Sequence, residues 1–448
     1  MSVTGGKVPR MPQPTPWTAE QVAALAPDAG SLAAARRLAR PRLWSGCGTG
    51  GERPGVWGLC HGSGKTPYQT CVDLIEPAYR CSCPSRKFPC KHALALLLLW
   101  AEGGLPEAQE PGWVSEWQAG RAARAAKRQQ KAAPRTQAQE RAAKRRAGER
   151  LDRVTAGAAD LHQWLTDQVR HGIAGLDQAG YTHFERMATR MVDAQAPGLA
   201  GMVRRLGGVP HSGDGWEGRM LAELSLLHLL TGAAARLDEL PAELAATVRS
   251  RLGKTVAAEE VLATPPIRDT WQVVGVRDFI EEERLSTRRV WLIGRGTGRE
   301  AMVLSFAAPG QALPADLVLG TAIEADACFY PGAHPRALIA TRHGPAQPCP
   351  DAAPALTLDE ALGRLAAALA RDPWLGSWPM LVRGCLVPGK KWSVVDTTGA
   401  ALALLAAETG WWDLAGAAGG RPTTIALEWN PVGLVPMAAF VDEAVVSA

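Results

Sequence analysis

Three cysteines and one histidine fall within twelve residues of the chain, in the sequence Cys81-Ser-Cys83-Pro-Ser-Arg-Lys-Phe-Pro-Cys90-Lys-His92. Thiolate sulfur and imidazole nitrogen are the ligands that zinc prefers, and four of them complete the tetrahedral shell of a structural site. Such a shell leaves no open position for water, which argues against metal catalysis. The spacing C-x-C-x6-C-x-H therefore predicts one structural zinc ion held by Cys81, Cys83, Cys90 and His92.

The segments around this cluster predict a small antiparallel sheet followed by a helix. Residues 56–60, 68–74 and 78–81 have strand-like patterns and are separated by Gly- and Pro-containing turns. The apolar run 93–100 predicts a buried helix that ends near Gly103. Two cysteines with one residue between them on a strand end share a face, so they can bind one ion. Cys47, Cys60 and Cys71 are close in sequence, and they are either buried thiols or additional ligands.

The order of Cys-x-Cys, a short spacer, Cys-x-His and an apolar helix resembles the SWIM zinc finger, and residues 81–94 are similar to bacterial SWIM proteins in particular. The resemblance covers residues 44–104. It implies zinc binding, with DNA binding or protein–protein interaction as the role of the module. Bacterial members are often associated with MoxR-type AAA ATPases and von Willebrand A-type proteins, so the resemblance implies these as partners.

The remaining sequence predicts several domains, because 448 residues exceed the size at which a single core usually stops growing. We expect an α+β multidomain protein with a small zinc-stabilised ββα-like SWIM finger, a helical middle domain and a β-rich C-terminal region. The predicted limits are an N-terminal extension over 1–40, the SWIM zinc finger domain over 41–117, a basic helical or disordered linker over 118–150, the helical domain over 151–260, and the β-rich region over 261–448 with a division near 352.

Positive charge is concentrated in residues 118–150. This segment has eleven Lys or Arg against two Glu, a net charge of +9, whereas the whole chain carries +5. Basic side chains next to the metal cluster and in this segment could neutralise nucleic-acid phosphates, with a strong salt dependence. The candidate nucleic-acid contacts are Arg80, Arg86, Lys87, Lys91, Arg121, Arg124, Lys127, Arg128, Lys144, Arg145 and Arg146.

The sequence therefore favours a zinc-binding SWIM-finger adaptor that mediates protein–protein interaction, with DNA binding as the alternative. We expect no enzymatic activity, although a catalytic site after Leu151 stays open as a third hypothesis. Gly294-Arg-Gly-Thr-Gly298 resembles half of a dinucleotide fingerprint, but a strand pattern follows it, so we interpret it as a hairpin turn. The longest apolar run is too short to cross a bilayer and the N-terminus lacks an apolar signal core, which predicts a cytoplasmic protein with no membrane contact.

Overall fold

A computed structural model describes residues 17–448 except 24, 27–28, 51–53, 63–65, 75–77, 86–88, 131–136, 179, 281–284, 308–312, 406–409 and 443. Helices and several antiparallel sheets alternate along the chain, in agreement with the predicted α+β class. Within these described ranges, no helix has both the length and the hydropathy that a membrane span needs.

The N-terminal part is a four-stranded antiparallel sheet and a buried helix. Its elements are α1 (Ala19–Ala23), α2 (Ala29–Leu38), β1 (Trp44–Gly50), β2 (Gly55–Cys60), β3 (Tyr68–Asp73), β4 (Ala78–Cys81) and α3 (Lys91–Ala101), with strand order β1-β2-β3-β4. Every residue of α3 from His92 to Trp100 is buried, because α1 and α2 cover the face that the sheet does not. Trp17 meets Trp100 edge to face, with ring centroids 5.6 Å apart. The strands and the apolar helix expected from the sequence are confirmed.

Two long helices follow, α4 (Gly112–Gln130) and α5 (Gln137–His171). The start of α4 packs on the sheet, where Trp113, Val114 and Trp117 surround Trp57 and Cys71. Helix α5 continues through Arg150 and Leu151, so the change from basic to apolar composition occurs inside one helix.

A helical bundle is formed by α5 together with α6 (Gly180–Asp193), α7 (Pro197–Leu206), α8 (Trp216–Ala235) and α9 (Ala242–Arg251). Apolar residues recur at three- and four-residue intervals along these helices, and they meet in one core that includes Leu161, Phe184 and Leu224. The short helix α10 (Ala258–Leu262) leads to the β-rich part.

Two six-stranded antiparallel sheets make up the rest of the described chain. The first contains β5 (Ile267–Ile280), β6 (Ser286–Gly294), β7 (Glu300–Ala307), β8 (Thr321–Phe329), β9 (Ala337–Arg342) and β10 (Gln347–Pro348). The second contains β11 (Trp378–Val387), β12 (Ser393–Asp396), β13 (Ala401–Ala403), β14 (Thr423–Asn430), β15 (Gly433–Val441) and β16 (Ala444–Ser447). Helices α11 (Leu358–Arg371) and α12 (Trp411–Ala418) pack against this sheet.

The two sheets have the same strand order over their first five strands. In each sheet three consecutive strands pair in sequence, the fourth returns to pair with the first, and the fifth pairs with the fourth. Both turns after the second strand contain a Thr whose hydroxyl donates to an aspartate, Thr297 to Asp269 and Thr398 to Asp396, each at 2.7 Å. The interpretation of Gly294 to Gly298 as a hairpin turn is confirmed, since β6 and β7 pair on either side of it.

A buried carboxylate joins the two sheets. Glu428 of β14 is 1% exposed and accepts a hydrogen bond from Trp291 Nε1 of β6 at 2.7 Å. It also accepts from Arg289 at 3.0 Å and from Arg277 at 3.1 Å. A buried charge is stable only when it is paired and hydrogen-bonded, and Glu428 meets both conditions.

Candidate metal centre

The four predicted zinc ligands lie together at the start of α3. Cys81 ends β4, Cys83 follows two residues later, Cys90 immediately precedes α3, and His92 lies in its first turn. Their sulfur and nitrogen atoms all lie within 4.8 Å of one another, and Cys81 Sγ is 3.6 Å from His92 Nδ1. Tetrahedral zinc with bonds of about 2.3 Å to sulfur and about 2.0 Å to nitrogen sets such atoms about 3.5 Å apart. The donor set fits zinc.

The surrounding side chains restrict the ligands to this arrangement. Thr70 Oγ1 lies 3.2 Å from Cys81 Sγ, and the ring of Tyr68 lies 4.8 Å from the imidazole of His92 between centroids. Cys90 and His92 are buried, whereas Cys81 and Cys83 are half-buried. Contacts of this kind orient ligand side chains before a metal binds.

The thiols of the cluster influence one another's acidity. A hydrogen bond from Cys90 lowers the pKa of the Cys81 thiol, and burial partly opposes that effect. The same hydrogen bond, with burial, raises the pKa of Cys90, and burial raises the pKa of Cys83. Because these residues bind metal as thiolates, metal binding to the cluster releases protons.

The nearby cysteines do not join the cluster. Within the described ranges, the four residues given above are the only group of three or more histidine, cysteine or acidic side chains that could hold a metal ion. Cys60 and Cys71 are fully buried, and burial raises the pKa of their thiols to about 11 and about 12. Burial also raises the pKa of Cys47. These cysteines therefore pack as thiols in the apolar surroundings of the sheet, and they are not additional metal ligands.

Comparison with known protein families agrees with this geometry. Residues 71–101 match the model of the SWIM zinc finger, and residues 149–252 match that of the SWIM-associated four-helix bundle domain. No curated protein and no solved structure matches the chain. The chain thus carries a SWIM zinc finger followed by a SWIM-associated helical bundle. The finger binds a single structural zinc ion through its Cys3His cluster.

The candidate nucleic-acid contacts fall into different environments. Arg80 Nη1 donates to the carbonyl of Trp113 at 3.3 Å, and Arg121 lies 3.7 Å from the buried carboxylate of Asp73. Both arginines therefore connect α4 to the finger sheet. Lys91 is exposed in the first turn of α3.

Two further candidates lie on α5, where Arg145 pairs with Glu149 at 3.6 Å and Arg146 is exposed. Arg86 and Lys87 lie outside the described residues, as do the side chains of Arg124, Lys127, Arg128 and Lys144. Phosphate binding by these residues stays a prediction.

A groove beside the metal cluster was not predicted from the sequence. Helix α2 forms one wall with Ala34 and Leu38, and Tyr68, Pro84 and Lys91 line the other side. The groove has a volume of 630 Å³. It brings together residues about fifty positions apart in sequence. The sequence pattern of α2 indicates a helix, but it does not indicate which segment packs beside that helix.

Proposed function

We propose that this chain is a zinc-binding SWIM-finger adaptor that mediates protein–protein interaction and has no catalytic activity of its own. The observation that carries the proposal is the convergence of three thiols and one imidazole beside the groove between α2 and the finger. Four protein ligands complete a tetrahedral shell, which favours a structural role over catalysis. The site then fixes a surface for another molecule to bind.

In this proposal the finger acts as a ββα-like unit. Strands β3 and β4 precede the first ligand pair, and helix α3 follows the second. Zinc would cross-link the end of β4 to the start of α3 and so fix the position of the residues next to Cys83. Pro84 and Ser85 are exposed there.

The charges around the finger favour a protein partner over DNA. Arg80 and Arg121 make contacts within the protein, so part of the positive charge near the metal site already has a structural role. The groove combines small and apolar side chains of α2 with the ring of Tyr68 and the single charge of Lys91, a mixed composition suited to a protein segment. Following the family resemblance, we propose a MoxR-type AAA ATPase and a von Willebrand A-type protein as partners, and a cytoplasmic location.

A filled groove tests this proposal directly. In Ala34→Arg, a long side chain occupies the groove, whereas Ala33→Arg adds the same charge at an exposed position of α2 outside it. Each immobilised protein is exposed to a lysate of its native host, and bound MoxR-type and von Willebrand A-type proteins are quantified by mass spectrometry. We expect Ala34→Arg to lose them and Ala33→Arg to retain them, with zinc content unchanged in both.

Equal recovery of the partners by the two variants would exclude the groove as the docking surface. If the unmodified protein recovers neither protein class, the proposed partners are wrong.

DNA binding remains the second candidate because Lys91, Arg141 and Arg146 are exposed basic side chains. Titration with random duplex DNA at increasing salt separates the two functions, since phosphate contacts give a steep linear dependence of log affinity on log salt. We expect no measurable affinity even at low salt. A steep slope that disappears when the arginines of 121–150 are neutralised would replace the adaptor function with DNA binding.

A further inference from the structure

The helical bundle contains a second pocket, separate from the metal centre, where the N-terminal half of α5 meets the end of α9. Leu151 and Val154 of α5 and Leu252 after α9 form its base, and its volume is 290 Å³. The exposed surface inside is mostly apolar, and none of the described residues that line it is aromatic. The pocket therefore suits an aliphatic side chain.

The chain path after α9 brings a further cation to the rim. Gly253 has a φ of 102°, a conformation that favours glycine, and a Cβ there would lie 2.7 Å from Pro197. Arg150 Nη2 donates to the Gly253 carbonyl at 3.3 Å, which ties α5 to this turn. The turn places Lys254 and Thr255 at the pocket.

Four cations surround the apolar base, namely Arg146, Arg150, Arg249 and Lys254. No acidic residue lines the pocket, and none of the four makes an ion pair with an acid in the described part of the chain. Glu149, the adjacent acid on α5, pairs with Arg145 outside the pocket. The rim thus has a net positive charge without an internal counterion.

We propose that this pocket binds a short segment of a partner protein in which an aliphatic side chain is flanked by carboxylates. The aliphatic side chain occupies the base, and the carboxylates accept hydrogen bonds from the arginines, whose planar guanidinium groups suit carboxylate oxygens. A single-stranded nucleic acid fits less well, because its bases bind by stacking on aromatic rings and this pocket has none. The site lies in the bundle, so the proposal is independent of the function proposed for the finger.

The test uses the full chain and a fluorescein-labelled peptide with two leucines flanked on each side by two aspartates. Fluorescence anisotropy compares the unmodified protein with the double variant Arg146→Glu/Lys254→Glu, which reverses two rim charges at exposed positions. The matched control is Arg205→Glu/Arg236→Glu, which makes the same charge change at exposed positions outside the pocket. Zinc content and helicity are measured on all three proteins.

We expect the rim variant to bind the peptide about tenfold more weakly or worse, and the control to stay within about twofold of the unmodified protein. Ala147→Trp, which places a large ring in the lining of the pocket without changing its charge, should also weaken binding, and a peptide with serines in place of the leucines should not bind. If both double variants bind the peptide equally weakly, the effect is due to the overall charge of the protein and not to the pocket. If the serine peptide binds as tightly as the leucine peptide, the apolar base has no role in binding.

Two further results would overturn the proposed occupant. A labelled single-stranded DNA that binds more tightly than the peptide and competes with it would make the site a nucleic-acid site. Residues 280–285 of this chain, Ile-Glu-Glu-Glu-Arg-Leu, have a related composition. Self-association of the unmodified protein in sedimentation, lost in the rim variant, would therefore make the occupant a second copy.

Discussion

The finger and the helical bundle, the two regions that match family models, are stabilised in different ways. In the finger a few polar ligands converge on one point, and the apolar helix α3 is shared with the N-terminal helices. The bundle buries side chains such as Phe184 and Leu224 in a continuous apolar core. A metal centre concentrates stability in four side chains, whereas a packed core distributes it over many, so the two regions should respond differently to single substitutions.

The two regions also differ in the kind of contact that each makes with the β-rich part of the chain. The finger does so through a neutral buried hydrogen bond from Tyr79 to the carbonyl of Ala315 at 3.1 Å, and helix α1, which packs on α3, adds one from Gln21 to the carbonyl of Gly320 at 2.7 Å. The bundle also makes a neutral hydrogen bond, from Trp374 Nε1 to the carbonyl of Leu226 at 2.8 Å, but it adds an ion pair, in which Arg251 of α9 contacts Asp372 with Nε 3.3 Å from Oδ1. Only the bundle contact should therefore be sensitive to charge.

Removal of the metal ligands should have the largest effect. The double variant Cys83→Ser/Cys90→Ser should lose the one zinc ion per chain and unfold the finger, because structural zinc contributes about 10–16 kcal/mol to the folding of such modules. The helicity of the bundle should persist. Elemental analysis and circular dichroism measure both effects.

The control for this change is Cys47→Ser, which alters a nearby cysteine outside the ligand cluster and should keep its zinc. Full zinc in the double variant would show that these two cysteines are not ligands.

A core truncation in the bundle should be the next largest effect. Phe184→Ala should lower the free energy of unfolding by about 3–5 kcal/mol, because it leaves a cavity in a fully packed core, while zinc content stays the same. Val192→Ala on the same helix changes a side chain that is 48% exposed and should cost less than about 0.5 kcal/mol. Urea unfolding measures both, and equal losses would contradict a distributed apolar core.

Acid should weaken the contact between the helical bundle and the β-rich part, near Arg251 and Asp372. Burial lowers the pKa of His334 to about 4 from 6.5, and the nearby positive charge of Arg251 adds to this effect. The unfolded chain therefore binds a proton that the folded protein does not between these values, so stability is complete above pH 6.5 and falls as the pH decreases towards 4. By pH 5 the loss is about 2 kcal/mol.

His334→Asn removes this titration and serves as the comparison. Urea midpoints of the two proteins at pH 7 and pH 5 should show a smaller decrease for the variant. Both proteins keep the same finger, so acid effects on the metal site cancel. An identical decrease in both would assign the acid sensitivity to other groups.

Loss of one neutral contact between helix α1 and the segment before β8 should have the smallest effect. Gln21→Ala removes the buried hydrogen bond to Gly320 and should lower the free energy of unfolding by about 1 kcal/mol, with zinc retained. The Gly320 carbonyl still accepts from the amide of Cys349 at 2.8 Å, which limits the cost. A loss as large as that of Phe184→Ala would mean that the packing of α1 on the finger depends on this contact.

Local sequence signals predicted the metal centre, because its four ligands are close in sequence and their spacing already limits the geometry. The same is true of β2, β3, β4 and α3, whose patterns give both element and buried face. The groove at Ala34 and the pocket at Leu151 and Leu252 depend on packing between distant segments. No local pattern contains that information.

Other features were missed because a change in residue composition along the chain does not by itself mark the end of a helix or strand. The basic residues before Arg150 and the apolar pattern after it predict a change in solvent exposure, but neither ends a helix, so α5 continues through that point. Helix α12, with two tryptophans followed by small residues, gave no recognisable pattern. The strand order common to the two sheets follows from which strands pair, and their individual patterns do not determine it.

The continuity of α5 fixes the rotational phase of its basic end relative to the bundle. Its 35 residues span about 52 Å as a single rod, and each residue advances the helix by about 100°. Arg146 and Arg150 are four residues apart, so they project from the same side and remain aligned with Leu151 and Val154. One residue inserted before Leu151 would turn both arginines about a quarter of a revolution away from the pocket, whereas a seven-residue insertion would restore their direction but move them about two turns, or about 10 Å, along the rod.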